Sequence, residues 1–297
     1  MKTMNKLKVA LIWPKGFDPK IVVPLSLGSL IANMDSSVAD VKLINCSIDN
    51  MPAGSERLAE QIRQFSPDII GISCWSFVWP EVQRLLHFFK SVSPKSTTII
   101  GGIHPTSCIQ SILKTENKDL DFIMRGEAEH AFPEFLKQFA KLKPDWSKVK
   151  GLVYHNKNKK IVMNETERID VLDTLKPVDY DIIRFEEYLK AGYRLDTSVK
   201  RNIPILTTRG CPYQCNYCAV CIMSGLKVRK HSIPYVINLI KKMYTERHIR
   251  AFNIVDDNFS FDVEFAKSFC RAVIALGYNN IRFTTAQGVR MERGDPE

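Results

Sequence analysis

Strand-like and helix-like periods alternate along the first half of this chain, and that alternation restricts the fold more than any other feature. Between residues 7 and 142 five short runs, KVALIW, VKLIN, DIIGIS, TTIIGG and DFIMRG, are apolar and mostly rich in Val and Ile, as buried strands are. Between and after them lie PLSLGSLIANM, SERLAEQIRQF, EVQRLLHFFKSV, SCIQSILKT and AFPEFLKQFAKL, whose apolar positions return every three or four residues. Five strands alternating with five helices imply a parallel sheet covered on both faces. Several of the strands end in Gly or Ser, so small residues collect at the edge where ligands bind in open α/β sheets.

The character changes from about residue 143 to residue 200. GLVYHNKNKKIVMN predicts a hairpin turned at Asn156 to Asn158, and TLKPVDYDIIRFEEYL a proline-broken connector with one short helix. A second βα series begins at NIPILTTRG and continues through RAFNIVDD and NIRFTTAQG, with the helical patterns IPYVINLIKKMYTERH and DVEFAKSFCRAVIALG between. The expected organisation is α/β throughout: a five-stranded doubly wound, flavodoxin- or Rossmann-like domain over 1–142, a linker over 143–200, and an incomplete (β/α) barrel over 201–297.

A chain of 297 residues can bury two such cores. It contains no run of about 18 apolar residues that would span a bilayer. The apolar stretch Val9 to Trp13 is too short for a secretory signal, so the expected compartment is the cytoplasm. Its net charge of +10 is spread, with local concentrations at Lys157 to Lys160 and Lys227 to Lys230, and reads as a solvated basic surface rather than a nucleic-acid groove. Cys46, Cys74, Cys108 and Cys270 stand singly in apolar surroundings and read as small core residues.

The other four cysteines crowd one stretch, CPYQCNYCAVC, at Cys211, Cys215, Cys218 and Cys221. The first three follow a strand directly through Thr207, Thr208, Arg209 and Gly210, and Gly210 and Pro212 supply the tight backbone that folds them onto one face. Iron–sulfur clusters are normally held by four thiolates, so three leave one iron open to a further ligand. The alternative is a zinc site on all four cysteines, although zinc modules usually split their ligands into two separated C-x2-C pairs.

C-x3-C-x-Φ-C, with Tyr217 at Φ, on the loop after the first strand of a βα series resembles the radical S-adenosylmethionine superfamily. The resemblance implies a [4Fe-4S] cluster on Cys211, Cys215 and Cys218, an S-adenosylmethionine molecule chelated to the fourth iron, and Tyr217 beside the adenine; Cys221 falls outside the pattern. Functional groups of β/α barrels sit at the C-terminal ends of strands, so Asp256, Asp257, Asn258, Gln287 and Arg290 are placed to meet cofactor or substrate, or else serve as loop polars and helix caps. Asp257, Gln287 and Arg290 join Tyr217 as the candidate S-adenosylmethionine contacts.

In the first half, PLSLGSLIANM, PDIIGISCWS, IIGGIHPT and DFIMRGEAEHAFPEFL together resemble the cobalamin-binding domain of the B12-dependent radical S-adenosylmethionine family. The candidate cobalamin contacts are Ser73, Gly101, Gly102, His104, Gly126 and Glu127. The glycines permit close backbone approach and Ser73 offers a hydroxyl at a strand end. The loop after the first strand reads PKGFDPK and lacks the D-x-H-x-x-G motif that supplies a lower cobalt ligand elsewhere. His104 is accordingly expected to touch the cobalamin tail or the backbone rather than cobalt. Glu127 and Glu129 also suit the N-terminus of the helix that follows.

Taken together, the two resemblances imply a cobalamin-dependent radical enzyme, in first place a C-methyltransferase. A 5′-deoxyadenosyl radical would take hydrogen from a small-molecule or peptide substrate, and methylcobalamin would deliver a methyl group to the resulting carbon radical. An electron donor of flavodoxin or ferredoxin type is implied as well. With three strands in the second series, the sequence is expected to be either a truncated frame or one part of a split enzyme completed by a second chain. In that case it would serve only as a cofactor- or metal-binding module.

Overall fold

The computed structural model describes residues 6–115, 118–195, 199–285 and 287–289. The chain divides into two compact units, one of residues 1–169 with 178–187 and the other of 170–177 with 188–297.

In the first unit the elements run β1 (Leu7–Trp13), α1 (Leu25–Ala32), β2 (Ala39–Asn45), α2 (Glu56–Phe65), β3 (Ile69–Ser73), α3 (Trp79–Val92) and β4 (Thr97–Gly101). They continue through α4 (Ile103–Ser107), α5 (Ile109–Lys114), β5 (Phe122–Met124) and α6 (Ala131–Phe139) to a hairpin of β6 (Leu152–His155) and β7 (Ile161–Met163). The sheet order is β2-β1-β3-β4-β5-β6-β7. The first five strands are mutually parallel, with Leu11 opposite both Leu43 and Gly71. The chain leaves β1 toward β2 and returns past it to β3, so the strand order reverses between β1 and β3, where such sheets open a crevice beyond their carboxyl ends.

Burial follows from the residue pattern. β3 is buried throughout and β1 from Val9 onward, as strands covered on both faces must be. Gly71 is needed at the centre of β3, because a Cβ there would come within 2.8 Å of Leu11 Cδ2. On α3, Val82, Leu85, Leu86 and Phe89 recur at helical spacing and are fully buried, each contributing about 1.5–3 kcal/mol.

Two findings extend the expectation. The hairpin read as part of the linker joins the sheet: β6 pairs antiparallel with β5, Ile123 facing Val153, and covers what would otherwise be an open edge. The sheet therefore has seven strands, five of them the expected parallel set. The connector segment 178–187 packs on α1, where a Cβ at Gly28 would meet Ile183 Cγ2 at 2.7 Å and Val178 Cγ1 at 2.8 Å. Arg184 fixes that segment with a bidentate pair to Asp49 at 2.6 and 2.8 Å and a further bond to Glu187 at 2.8 Å.

Helix α7 (Phe185–Lys190) crosses the boundary into the second unit. There follow β8 (Asn202–Ile205), β9 (Thr208–Arg209), α8 (Val220–Met223), β10 (Arg229–Lys230), α9 (Ile233–Arg247), β11 (Ala251–Ile254), α10 (Val263–Ile274) and β12 (Arg282–Thr285). Strands β8, β11 and β12 are parallel neighbours in chain order, the arrangement of a barrel wall, while β9 and β10 form a separate antiparallel pair. Across the wall runs a polar ladder: Thr284 Oγ1 donates to Asn253 Oδ1 at 2.6 Å, and Asn253 Nδ2 donates to Asn202 Oδ1 at 2.8 Å. Ser232 caps α9 and Asp262 caps α10, each accepting from a first-turn backbone N–H.

The scattered cysteines separate. Cys46 and Cys74 are buried as expected, but Cys108 is only half-buried and Cys270 is exposed. On α10 the buried positions are Phe265 and Phe269, so Cys270 lies one helical step of about 100° off the packed face. Among the described residues no helix is long and apolar enough to cross a membrane.

Candidate functional site

In the second unit the strand ends are joined by a turn of three polar residues that follows β11. Asp256, 2% exposed, accepts from the Thr207 N–H at 2.6 Å, the Thr207 hydroxyl at 2.5 Å and the Thr208 hydroxyl at 2.9 Å. Asp257 Oδ2 accepts from the Gly210 N–H at 2.9 Å. Asn258 donates its side-chain amide to Cys211 Sγ at 3.8 Å. One short turn thus holds the strand that leads into the cysteine loop, the glycine before it, and its first thiol.

Electrostatics explain why that turn stays polar. Burial raises the Asp256 carboxyl to about 6, against the opposing pull of the Thr207 and Thr208 hydrogen bonds. Burial likewise raises Asp257, opposed by the Gly210 N–H, the Ser224 hydroxyl and the positive charges of Arg209 and Arg229. Those two arginines face each other in the β9–β10 pair, and Arg229 Nη2 also donates to the Ser224 carbonyl at 2.7 Å. Gly210 has φ +99°, and a Cβ there would come within 2.4 Å of the Lys227 carbonyl oxygen, so only glycine admits this chain crossing.

All four cysteines of the loop are free thiols: Cys215 is exposed and the other three half-buried. The Cys218 N–H bonds the Cys215 carbonyl at 2.9 Å, and Cys221 stands on α8 with its thiol 3.6 Å from the Cys218 carbonyl. Among the described residues no three His, Cys, Asp or Glu side chains are gathered as a metal-holding group. The donor set nevertheless suits an iron–sulfur cluster chemically, with three unpaired thiols on one solvent-accessible loop. Tyr217 is 90% exposed beside Cys218, and Gln287 lies exposed on the turn after β12. Arg290 lies outside the described residues.

In the first unit the candidate residues gather at the carboxyl ends of β3, β4 and β5. Ser73 is buried and pairs across the sheet with Gly101. A Cβ at Gly101 would meet only ordinary contacts, 3.7 Å from Met124, so its missing side chain leaves space at the strand end. Gly102 serves the chain itself: at φ +108° its Cβ would lie 3.0 Å from the Cys74 carbonyl oxygen. His104, 8% exposed, bonds Ser76 Oγ through Nδ1 at 3.0 Å and packs on Trp79, while its Nε2 is buried with no hydrogen-bond partner. Burial lowers its pKa, so the ring is neutral near pH 7.

Gly126 and Glu127 hold local structure. The Gly126 N–H donates to Thr106 Oγ1 at 3.0 Å, and Glu127 Oε2 accepts the Ile169 N–H at 2.8 Å. Glu129 accepts the Ser29 hydroxyl at 3.0 Å. Sequence reasoning passed over an aromatic group at the β1 and β3 ends. Trp13 stacks on Phe17 at 3.9 Å, and Phe17 meets Trp75 and Phe77 edge-on, with Phe77 59% exposed. The signal was present as three aromatics in WSFVW just after a strand, at the carboxyl edge where open α/β sheets bind ligands.

Comparison with known proteins bears on both edges. The B12 binding domain family matches residues 19–136, the stretch that runs from α1 into α6 and includes the carboxyl ends of β3, β4 and β5. The chain is 27% identical over 241 residues to the uncharacterized methyltransferase PH0819 of Pyrococcus horikoshii, covering 80% of this chain and 50% of that protein. The chain thus carries a B12 binding domain match and is similar over most of its length to a methyltransferase. Its fold is that of the cobalamin-dependent radical enzyme OxsB, with a TM-score of 0.74 at 18% identity over 94% of this chain and 38% of that one. It is equally close to the radical methyltransferase TsrM from Kitasatospora setae, with a TM-score of 0.74 at 15% identity over 96% of this chain and 60% of that one. The chain spans about half the length of the curated relatives it matches.

Proposed function

We propose that the chain is the cofactor-binding portion of a cobalamin-dependent radical enzyme whose reaction is methyl transfer to a substrate carbon. The observation that supports this reading is the coexistence, in one chain, of a match to the B12 binding domain and three free thiols on a loop tethered by the Asp256–Asn258 turn. When bound, a [4Fe-4S] cluster with S-adenosylmethionine supplies a 5′-deoxyadenosyl radical and methylcobalamin supplies the methyl group, so the difficult chemistry belongs to the cofactors.

The residues of this chain bind and orient. Cys211, Cys215 and Cys218 would hold three of the cluster's irons, and Asp256 and Asp257 fix the backbone from which their loop springs. Tyr217 presents an exposed ring to an adenine, and Gln287, Asp257 and Arg290 complete the S-adenosylmethionine site. Ser73 and the unpartnered His104 Nε2 offer polar groups to the cobalamin tail, while Gly101 leaves it space. His104 keeps its proton inventory neutral and acts as a hydrogen-bonding group, not as a cobalt ligand.

The substrate is a small molecule or peptide, and a low-potential electron donor of flavodoxin or ferredoxin type feeds the cluster. A cytoplasmic setting suits thiols that must remain reduced. Anaerobic reconstitution with iron and sulfide tests the reading: a brown protein that releases 5′-deoxyadenosine from S-adenosylmethionine and retains cobalamin is expected, and Cys215→Ala should abolish both colour and release. A colourless chain that takes up stoichiometric zinc would overturn it.

A further inference from the structure

The turn after β11 contains one polar side chain whose placement neither capping nor backbone support explains. Asn258 is 7% exposed and precedes the short helical turn Phe259–Phe261, where a helix-capping role would be the ordinary reading. Its side chain makes no capping bond to that turn. The amide instead reaches back to Cys211 and donates through Nδ2 to Sγ at 3.8 Å.

We infer that Asn258 tunes the iron–sulfur cluster proposed above by donating a hydrogen bond to the sulfur of Cys211. The chemistry is directional. A metal-bound cysteine sulfur carries no proton and can only accept, so the NH₂ end of the amide, not its oxygen, faces it. One-electron reduction of a cluster adds negative charge that spreads onto its thiolates, and a donor aimed at one of them strengthens as that charge grows. Hydrogen bonds to the sulfurs are among the factors that set cluster potentials.

Position makes Asn258 suitable for the task. It follows Asp256 and Asp257, whose carboxylates bind Thr207, Thr208 and Gly210, so the amide is carried on the same rigid turn that fixes the base of the loop. The donor is therefore held in place before a cluster assembles, and its bond needs no rearrangement of β11. Asn258 acts through Cys211 and is a positioning and tuning residue, not a catalytic one. The inference rests on the assignment of Cys211 as a cluster ligand.

The test uses the full reconstituted chain and Asn258→Leu, which keeps the side chain's size and removes the donor. Iron and sulfide content with electron paramagnetic resonance of the dithionite-reduced protein comes first: a wild-type chain that assembles no cluster overturns the functional reading and this inference together. With a cluster present in both proteins, a spectroscopic redox titration should place the midpoint of Asn258→Leu at a more negative potential than wild type. Equal midpoints would overturn the role of Asn258 and leave the cluster assignment standing. Where Asn258→Leu fails to fold or to load, resonance Raman spectra of the wild-type cluster in H₂O and D₂O decide. An iron–sulfur stretch that moves on deuteration in wild type and not in Asn258→Ala supports the bond; stretches insensitive to deuteration in wild type, or shifted equally in both proteins, overturn it.

Discussion

At the strand ends of the N-terminal unit the candidate site is set in packed backbone, whereas at those of the C-terminal unit it hangs from hydrogen bonds. Ser73, Gly101 and His104 occupy positions fixed by the β3–β4 pair and by a turn in which the Gly101 carbonyl accepts from the Cys74 N–H at 2.8 Å and the Cys74 carbonyl accepts from the His104 N–H at 3.1 Å. The cysteine loop is solvent-accessible and tied down mainly at its ends, by Asp256, Asp257 and Asn258 on one side and by the β9–β10 pair on the other. The thiols differ in the same sense: burial raises Cys46 and Cys74 to about 12, which keeps them protonated and inert. One edge is built from packed strand ends, and the other is an exposed loop held through side-chain hydrogen bonds.

Removing the clamp at the hydrogen-bonded edge should have the largest effect. Asp256→Ala leaves a buried backbone N–H and two hydroxyls without their acceptor, and the C-terminal unit should lose about 3 kcal/mol in denaturant unfolding while the N-terminal unit is unchanged. The sign of its pH dependence follows from the raised pKa of about 6. The folded state holds this proton more tightly than the unfolded chain does, so the group's contribution is full below the ordinary carboxylate pKa of about 3.9 and is withdrawn as pH rises toward 6. Relative to Asp256→Asn, wild type should therefore lose about 2 kcal/mol between pH 4 and pH 6.5. A flat difference would mean that the clamp is not buried as described.

The packed edge has its own weak point. Gly102→Ala places a Cβ 3.0 Å from the Cys74 carbonyl at a left-handed φ, so unfolding of the N-terminal unit should ease by about 2 kcal/mol. Thermal unfolding of Gly102→Ala beside Gly101→Ala separates chain strain from ligand space. The second variant should leave stability nearly unchanged and weaken cobalamin retention, and equal losses of stability would break the distinction. Smaller still, His104→Phe keeps a ring against Trp79 and deletes the unpartnered Nε2. Cobalamin affinity measured by visible titration should fall about tenfold, or 1.4 kcal/mol, with the fold intact.

Much of this was legible in the residues. The period of the apolar positions specified the five parallel strands, and the strand preceding CPYQCNYC placed three thiols at a carboxyl-end loop. The attachment of the hairpin was not legible, because pairing of β6 with β5 depends on an open edge that only the assembled sheet presents. Gly102 read as room for a ligand, since a sequence does not tell which atoms a glycine approaches; here it is the Cys74 carbonyl. The same holds for Asp257, placed correctly at a strand end but engaged by the Gly210 N–H across 47 positions of sequence. The aromatic group around Phe17 went unread as a group because its members come from the ends of β1 and β3 and the segments after them, far apart in sequence and brought together by the pairing of the two strands.

The most direct measurement is the number of protein sulfurs on the metal of the anaerobically reconstituted chain, read by Mössbauer and electron paramagnetic resonance spectra with Cys221→Ala beside wild type. Three-thiolate ligation predicts about four irons per chain, one of them spectroscopically distinct and altered by added S-adenosylmethionine, with Cys221→Ala indistinguishable from wild type. Four equivalent irons that ignore S-adenosylmethionine, together with loss of the cluster in Cys221→Ala, would contradict the account.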